Sequence, residues 1–309
     1  MFFKNATIYR LPPKWPAAMS AGSLCAQLER GLFHTCPSNQ PSSRGWVPPR
    51  KGDGLIYQQD YQLMICLKVQ EKLLPSAVVN EAVQERAEAI GDQQGYPPGR
   101  KQLKEIKERV VEELLAKAFT VSRRTFAWID PVAGWLVVDT ASQARAEEVV
   151  EHLRHCLDEF PLALPHTQLS PQSAMASWLA DGEAPDGFTI DRDCELKSLA
   201  EEKAAVKFVR HPLQDEWADE VKTHLAAGKL PTHLALTWDE RISFVLGDSM
   251  EVKRLTFLDL VKEAAEENAK HADEQFDADF AIMTGELRRF IDALMAALGG
   301  EQVEEAAAQ

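Results

Sequence analysis

The sequence contains no long apolar run. Nowhere in its 309 residues do eighteen or more apolar side chains follow one another, whereas a membrane-spanning helix needs about 20. Cysteine is scarce as well: the five cysteines are an odd number, lie far apart and form no Cys-x-x-Cys pair, which disfavours a disulfide framework and suits a reducing compartment. The first ten residues predict a strand rather than a signal peptide. We therefore expect a cytoplasmic protein with no membrane partner.

Signatures of nucleotide binding and nucleophilic catalysis are missing too. No Gly-x-x-x-x-Gly-Lys-Ser/Thr loop and no Gly-x-Gly-x-x-Gly sequence occurs, so nothing predicts a loop that holds the phosphates of ATP or of a dinucleotide. The eight histidines are scattered, and no Ser/His/Asp or Cys/His arrangement has local support. The sequence therefore predicts a protein that is not an enzyme and that needs no cofactor.

Two groups of side chains could hold a metal ion. His152, His155 and Cys156 have helical spacing and suit zinc, but no fourth ligand is nearby and Cys156 belongs to an apolar stripe. Asp277 and Asp279 are separated by one residue, yet they precede a predicted helix, where carboxylates offset the helix dipole. We therefore expect no metal site.

A metal-dependent nuclease remains as an alternative. Asp186, Glu195 and Lys197 follow the order of the Pro-Asp…Glu-x-Lys nucleases. In such an enzyme both carboxylates bind Mg²⁺ and the lysine stabilises charge at the scissile phosphate. So short a pattern also arises by chance, and Asp186 lies in a predicted loop rather than on a paired strand. A surface acid with a Glu/Lys ion pair is the favoured interpretation.

Charge is unevenly distributed along the chain. The net charge is −14, and residues 259–309 carry thirteen acidic against four basic residues. Residues 1–60 carry seven lysines and arginines against three acids, and residues 97–124 carry eight against four. A fold that gathers the two basic segments on one surface can bind an anion although the whole molecule is acidic. Phosphate contacts are expected, because no helix-turn-helix, zinc-finger or RNA-platform signature is present.

The hydrophobic pattern predicts an α+β fold with antiparallel sheets and flanking helices. Its clearest first-half elements are a strand over residues 61–69, two helices over 76–90 and 100–118 with a Gly91–Gly99 loop between them, a β-hairpin over 125–139 and a helix over 142–160. The second half predicts helices near 171–179, 214–227, 258–270 and 282–298, with strands near 205–210, 230–238, 241–246 and 252–257. We divide the chain into an N-terminal α+β region (1–75 with 120–170), a projecting helical pair (76–119) and a C-terminal α+β region with an acidic tail (171–309).

Several ordered motifs resemble one known family, the recombination-associated proteins RdgC. The first are Gly45-Trp46-Val47-Pro48-Pro49, Glu71-Lys72-Leu73-Leu74-Pro75, Trp128-Ile129-Asp130 and Glu195-Leu196-Lys197-Ser198-Leu199. They continue with Ala227-Gly228-Lys229, Leu234-Ala235-Leu236-Thr237-Trp238, Lys253-Arg254-Leu255 and Phe276-Asp277-Ala278-Asp279-Phe280-Ala281-Ile282-Met283-Thr284-Gly285-Glu286-Leu287. Matches in this order over nearly the whole chain are far more specific than any single motif.

The resemblance implies elongated, curved subunits that form a ring-shaped homodimer with a basic hole wide enough for duplex DNA. Members of the family bind double-stranded DNA with little sequence preference, single-stranded DNA being a weaker ligand, and restrain the RecA recombinase. A role in replication fork repair and association with the nucleoid follow from this resemblance. A ring also accommodates the charge distribution, because acidic residues can lie outside it and basic residues inside.

Candidate site residues come from the basic segments and from the matched motifs. Ala118-Phe119 matches the family's apolar tip at the end of the long helix, which implies that Phe119 lies in the dimer interface. The predicted DNA-binding residues are Lys72, Arg100, Lys104, Lys107, Arg123, Arg124, Lys197, Lys229, Arg241, Lys253 and Arg254. A further alternative is an interaction module that binds RecA directly through its acidic C-terminal surface.

Overall fold

The computed structural model describes residues 1–11, 21–198, 204–213, 218–266 and 272–302. These residues form two antiparallel β-sheets and eight α-helices, which confirms the expected combination of antiparallel sheets with helices. The acidic tail predicted at the C-terminus lies mostly in residues 303–309, outside the described residues.

Sheet 1 is built from the first half of the chain. Its strands are β1 (Thr7–Arg10), β2 (Ser42–Val47), β3 (Ile56–Gln59), β4 (Gln62–Lys72), β5 (Thr120–Asp130) and β6 (Trp135–Val138). The order is β1-β6-β5-β4-β2, and β3 pairs with the part of β4 that β2 leaves open. Met64 to Leu67 of β4 are buried, as the continuous apolar run predicts for a strand covered on both faces.

Sheet 2 and most of the helices come from the second half. The strands are β7 (Phe188–Ser198), β8 (Ala205–Phe208), β9 (Lys229–Trp238), β10 (Ile242–Gly247) and β11 (Val252–Phe257), in the order β11-β10-β9-β7-β8. The helices are α1 (Ala21–Leu28), α2 (Ser76–Gln94), α3 (Arg100–Lys117), α4 (Gln143–Cys156), α5 (Pro171–Asp181), α6 (Ala218–Ala226), α7 (Asp259–Glu266) and α8 (Ala272–Ala297).

One continuous core joins the two sheets. Trp128 of sheet 1, Phe244 of sheet 2 and Phe280 of α8 are buried in the same apolar cluster. Across it, the Arg288 guanidinium of α8 donates two hydrogen bonds of 2.6 and 2.7 Å to the buried carboxylate of Asp130. The two halves therefore depend on each other for folding, since each supplies a wall of the shared core.

The helical pair α2 and α3 is inserted between neighbouring strands of sheet 1. Lys72 at the end of β4 pairs with Thr120 at the start of β5, and the two helices occupy the chain between them. They pack through a small cluster of their own centred on Val79, Ile106 and Val110. At about 1.5 Å per residue, the 19 residues of α2 carry the far end of the pair roughly 28 Å from the sheet.

Several predicted boundaries were wrong. Pro75, not Ser76, holds the N-cap position of α2, and this helix continues through Gly91 to Gln94 before Gly95 ends it in a left-handed conformation. Helix α4 ends at Cys156 rather than near residue 160. The predicted helix over 214–227 begins at Ala218 among the described residues, because 214–217 lie outside them, as do residues 267–270 of the helix predicted over 258–270.

Helix α8 begins at Ala272, ten residues before the predicted start. Asp277 and Asp279 are therefore inside the helix, and capping was the wrong explanation for them. Asp277 instead accepts hydrogen bonds from Arg50 (2.8 Å) and Tyr57 (2.6 Å). The hydrogen bond from Tyr57 keeps that phenol protonated, and burial together with Asp277 raises its pKa.

Candidate nucleic-acid interface

Lys72, Arg123 and Arg241 were predicted to bind DNA, but each has a structural role within the protein. The Lys72 ammonium donates to the carbonyl oxygens of Ser38 (2.6 Å) and Leu115 (2.8 Å), and so satisfies an acceptor at the end of α3. Arg123 is paired with Glu71 and Glu148. We assign these two residues to the structure of the protein.

Arg241 is the third predicted DNA-binding residue with a structural role. It binds the carboxylate of Glu286, whose side chain is only 4% exposed. Hydrogen bonding to Glu286 raises the pKa of Arg241. Withdrawing Arg241 towards a phosphate would leave Glu286 buried beside Arg289 alone, which is unfavourable.

The helical pair carries a second group of predicted residues. Arg100 begins α3 at the far end of the pair, and Lys104 and Lys107 follow at helical spacing with exposed side chains. Lys104 lies 3.8 Å from Glu108, but both side chains are more than 60% exposed, so the ion pair is weak. These cations are available to a partner that approaches the helical pair.

Arg124 lies on the polar end of sheet 1. It stands directly opposite Lys68 on β4, and its guanidinium donates to the carbonyl of Pro48 at 3.1 Å. The Lys68 ammonium sits 4.2 Å from the centre of the Phe33 ring, a cation–π contact. Lys68 was not predicted. The signal that could have identified it is the alternation that begins after the apolar run of β4, where Lys68 is the first polar residue.

One face of sheet 2 is covered by α5, α6 and α8, and the other face is polar. Helix residues such as Met175, Val221 and Phe290 pack on the buried face. On the polar face, Glu195 of β7 is paired with Lys197 (2.8 Å) and with Lys207 of β8 (3.0 Å). Hydrogen bonding from Lys197, aided by Lys207, outweighs burial and lowers the pKa of Glu195 to about 2. The carboxylate is therefore neutralised by two cations, of which Lys207 was not predicted.

A β-bulge brings Lys253 and Arg254 to the same face. Val245 of β10 pairs with Lys253 and Ser243 pairs with Thr256, so β11 has one extra residue between them. Arg254 occupies it with φ +51°, a left-handed conformation that L-residues rarely adopt. Because of the bulge, both basic side chains line a recess on the polar face. Strict alternation along a strand would have separated them.

Lys229 lies on the opposite side of sheet 2 from Lys197. A register shift between Glu195 and Leu196 pairs Lys229 with Ser198 and Lys197 with Leu230. Successive residues of a strand face opposite sides, so the structure does not bring Lys229 together with the other predicted cations of this sheet.

Phe119 is at the base of the helical pair, not at its far end. It lies between α3 and β5, and its carbonyl accepts a hydrogen bond of 2.8 Å from the N–H of Leu73. Its side chain is 85% exposed, and Leu73 and Val121 beside it are each more than half exposed. These three residues, named here the base patch, form an apolar surface next to sheet 1. Phe119 thus follows the end of α3, as the resemblance implies, but this end of the helix joins sheet 1, and its place in a dimer interface stays a prediction.

The geometry does not support the nuclease alternative. The pairing of β7 with β9 sets Phe188 opposite Trp238 and Glu195 opposite His233, so about 17 Å of strand separates those two positions, and Asp186 lies beyond Phe188. Ligands of one Mg²⁺ lie about 2.1 Å from the ion. Asp186 and Glu195 therefore cannot share a metal.

The histidine–cysteine group is occupied by other contacts. His152 Nε2 is 3.0 Å from the carbonyl oxygen of Gly31, and Cys156 Sγ accepts a hydrogen bond of 3.3 Å from Trp46. Within the part of the chain that the structure describes, no group of three or more His, Cys, Asp or Glu side chains is arranged to hold a metal ion. In the same part, no helix combines the length and the apolar character needed to cross a bilayer.

Known proteins similar to this chain cover its whole length. A family model described as "RdgC: Putative exonuclease, RdgC" matches residues 1–301. The recombination-associated protein RdgC of Dechloromonas aromatica is 64% identical over 98% of this chain and 99% of that relative. The proteins of the same name from Janthinobacterium sp. and Herminiimonas arsenicoxydans are 48% and 47% identical, over 97% and 99% of this chain and over 99% and 100% of each relative. The resemblance found in the sequence motifs is confirmed, and the chain belongs to the RdgC family of recombination-associated proteins.

Proposed function

We propose that this protein binds double-stranded DNA through its phosphates, without reading the base sequence, and thereby limits the access of RecA to that DNA. The observation that carries the proposal is the placement of exposed and half-buried cations on three surfaces: the far end of the helical pair, the polar end of sheet 1 and the polar face of sheet 2. The proposed contacts are Arg100, Lys104, Lys107, Arg124, Lys197, Lys253 and Arg254, together with Lys68 and Lys207.

The net charge of −14 repels a polyanion at long range, so DNA binding requires a local excess of positive charge. Three of the acids on α8, Asp277, Asp279 and Glu286, form ion pairs with groups of this chain. On the polar face of sheet 2, Glu195 is likewise paired. Cations such as Arg100 and Lys107 on the helical pair are exposed to solvent, and local charge decides where a polyanion binds.

The arrangement favours phosphate contact over base readout. The cations lie on strands and on the flank of a long helix, and lysine and arginine in such positions contact phosphate oxygens that are the same at every base pair. Similar affinity for unrelated sequences is the expected result. A protein of this kind would act in the cytoplasm, on the nucleoid, and needs no cofactor.

We further propose a ring-shaped homodimer in which the base patch is one subunit contact. Leu73, Phe119 and Val121 are exposed apolar residues on one surface, and a two-fold interface would pair this patch with the same patch of a second copy. In this proposal residues 1–75 with 120–170 and residues 171–309 form the body of each subunit, and residues 76–119 form the arm. A ring would hold DNA topologically in addition to the pairwise contacts.

The salt dependence of DNA affinity tests the proposed function. Several unrelated duplexes should bind with similar affinity, and the logarithm of that affinity should fall linearly with the logarithm of salt concentration, by about 0.9 for each phosphate contacted. Inhibition of RecA strand exchange should decline over the same salt range. Strong preference for one sequence, or inhibition of RecA where no DNA is bound, would contradict the proposal.

Replacing Phe119 with serine is expected to weaken the dimer. Burial of one phenylalanine is worth about 1.5–3 kcal/mol, so the two copies in a symmetric interface account for roughly 100-fold or more in the dissociation constant. Sedimentation equilibrium measures the effect. Tyr61→Ser is the matched control, because Tyr61 is another exposed aromatic residue that lies outside the base patch. An unchanged dimer in Phe119→Ser would exclude the base patch as a subunit contact.

A further inference from the structure

The polar face of sheet 2 contains a recess of about 270 Å³. Its cationic residues are Lys207, Lys253 and Arg254, its acids are Asp193 and Glu195, and Val245 contributes apolar surface. Arg254 lies 3.2 Å from Asp193, but its side chain is 76% exposed, so this ion pair is readily exchanged for another anion.

Lys253 differs from the other cations of the recess in its partner. Its ammonium nitrogen lies 3.0 Å from Nε2 of His233. An ammonium group can only donate, so Nε2 is the acceptor and the ring of His233 is neutral, with its proton on Nδ1. Nδ1 faces the hydroxyl of Thr232 at 3.3 Å and Glu195 at 3.9 Å, both of which suit a donor. The Lys253 ammonium therefore has further donor hydrogens available inside the recess.

We infer that Lys253, Arg254 and His233 form a phosphate-binding site for the nucleic-acid backbone, in which binding is coupled to uptake of one proton by His233. The inference rests on the proposed DNA-binding function and assigns one of its contacts. A phosphodiester oxygen accepts from Lys253 and Arg254. His233 then takes a proton from solvent at Nε2, and this N–H becomes another donor towards the phosphate.

The charged groups around His233 determine the direction of this coupling. In the free protein, Lys253 and Lys197 oppose a positive charge on the ring, whereas Glu195 and Asp248 favour it. Burial is the largest effect, and with Lys253 it lowers the pKa of His233 below its usual value. A bound phosphate adds negative charge beside Nε2 and raises that pKa again. Binding is therefore tighter at low pH.

The pH dependence has a definite window. Above the pKa of the phosphate-bound form, His233 is neutral whether or not DNA is bound, and affinity does not change with pH. As pH falls from there to the pKa of the free form, one proton is taken up per site, and affinity rises by up to about tenfold per pH unit. Below the pKa of the free form the affinity is constant again.

Duplex affinity of the full-length protein between about pH 5.5 and 8 tests the site. For His233→Asn we expect the pH dependence seen in the wild type to be lost. For Lys253→Gln we expect affinity to fall about fourfold at 0.2 M salt and the salt slope to be smaller by about 0.9, the value of one phosphate contact. Arg254→Asn should weaken binding to a similar extent, because it also removes one phosphate contact. Asparagine is chosen because it tolerates the left-handed conformation, so the bulge should persist.

Matched controls separate the site from general charge effects. Lys222→Gln removes one exposed lysine on α6, and His166→Gln removes an exposed histidine distant in sequence. Both should behave as wild type. Wild-type pH dependence in His233→Asn, or an unchanged salt slope in Lys253→Gln, would overturn the inference while the proposed function stands. If the wild-type protein binds no duplex, the proposed function itself fails.

Nuclear magnetic resonance of the His233 ring identifies the ligand. A short mixed-sequence duplex should raise the pKa of His233 more than inorganic phosphate at the same phosphate concentration, because the backbone is held by neighbouring contacts as well. The assignment to nucleic acid would be overturned if inorganic phosphate raised the pKa of His233 and the duplex did not, or if neither probe changed it.

Discussion

Replacing Asp130 with alanine is expected to lower the free energy of unfolding by about 3–5 kcal/mol, because it removes the buried acceptor of four hydrogen bonds. The Asp130 side chain has no exposed surface. It accepts two hydrogen bonds from Arg288 and two more from the backbone N–H groups of Val132 and Ala133. Alanine would leave the turn donors and the Arg288 charge without these partners, at the point where α8 joins sheet 1.

Urea denaturation monitored by tryptophan fluorescence measures this effect. Asp158→Ala serves as the control, since Asp158 pairs with Arg30 on the surface and its removal should leave the midpoint near that of wild type. Adding Arg288→Met to Asp130→Ala should recover part of the stability, because the unpaired charge is then removed as well. A change below about 1 kcal/mol in Asp130→Ala would show that the two halves of the molecule are not joined through this ion pair.

Strands and helices with regular periodicity were predictable from the sequence. The apolar run of β4, the hairpin of β5 and β6 and the strand Val252–Phe257 all lie where the pattern predicts them. In β4 and in the hairpin of β5 and β6, burial follows the alternation or run of apolar residues along the chain, whereas β11 departs from it at the bulge of Lys253 and Arg254. Local sequence therefore carried the information, because the tertiary contacts of these elements agree with their own periodicity.

Strand β7 was missed for a physical reason. The charged triplet Asp191-Arg192-Asp193 interrupts the alternation of Phe188, Ile190, Cys194 and Leu196, all four of which are buried. Ile190 pairs with Leu236 of β9 and Cys194 pairs with Leu234, so β7 has four steps along the chain where β9 has two. The charged residues of β7 therefore lie in a bulge. Bulges depend on the partner strand and leave no periodic signal in the sequence.

The same limitation applies to the candidate site. Sequence reasoning selected basic residues by type and by resemblance, but could not show that Lys72 binds backbone carbonyls or that Arg241 binds a buried glutamate. These partners are distant in sequence and meet only in the folded protein. Nor could spacing place Lys253 and Arg254 on one face, because that placement depends on the bulge opposite β10.

Removing the cations at the far end of the helical pair is expected to cause the largest decrease in DNA affinity. In the variant Arg100→Gln, Lys104→Gln, Lys107→Gln the salt slope should fall by about 0.9 for each phosphate that the protein no longer neutralises, and affinity at 0.2 M salt should fall by about 10- to 100-fold. Glutamine is a good helix former, so α3 should persist. The small cluster of Val79, Ile106 and Val110 that holds the pair together is untouched.

Electrophoretic mobility shift and fluorescence anisotropy titrations at several salt concentrations measure the change, with circular dichroism to verify helix content. The matched control removes three exposed cations of α4 and α6, in the variant Arg145→Gln, Arg154→Gln, Lys222→Gln. This control changes the net charge equally, so a general electrostatic effect would weaken both variants alike. A decrease confined to the first variant places DNA along the helical pair, because only short-range interactions with phosphate depend on where the charge is removed. Equal decreases would mean that DNA senses the summed charge of the molecule, and the helical pair would then not be a local DNA contact.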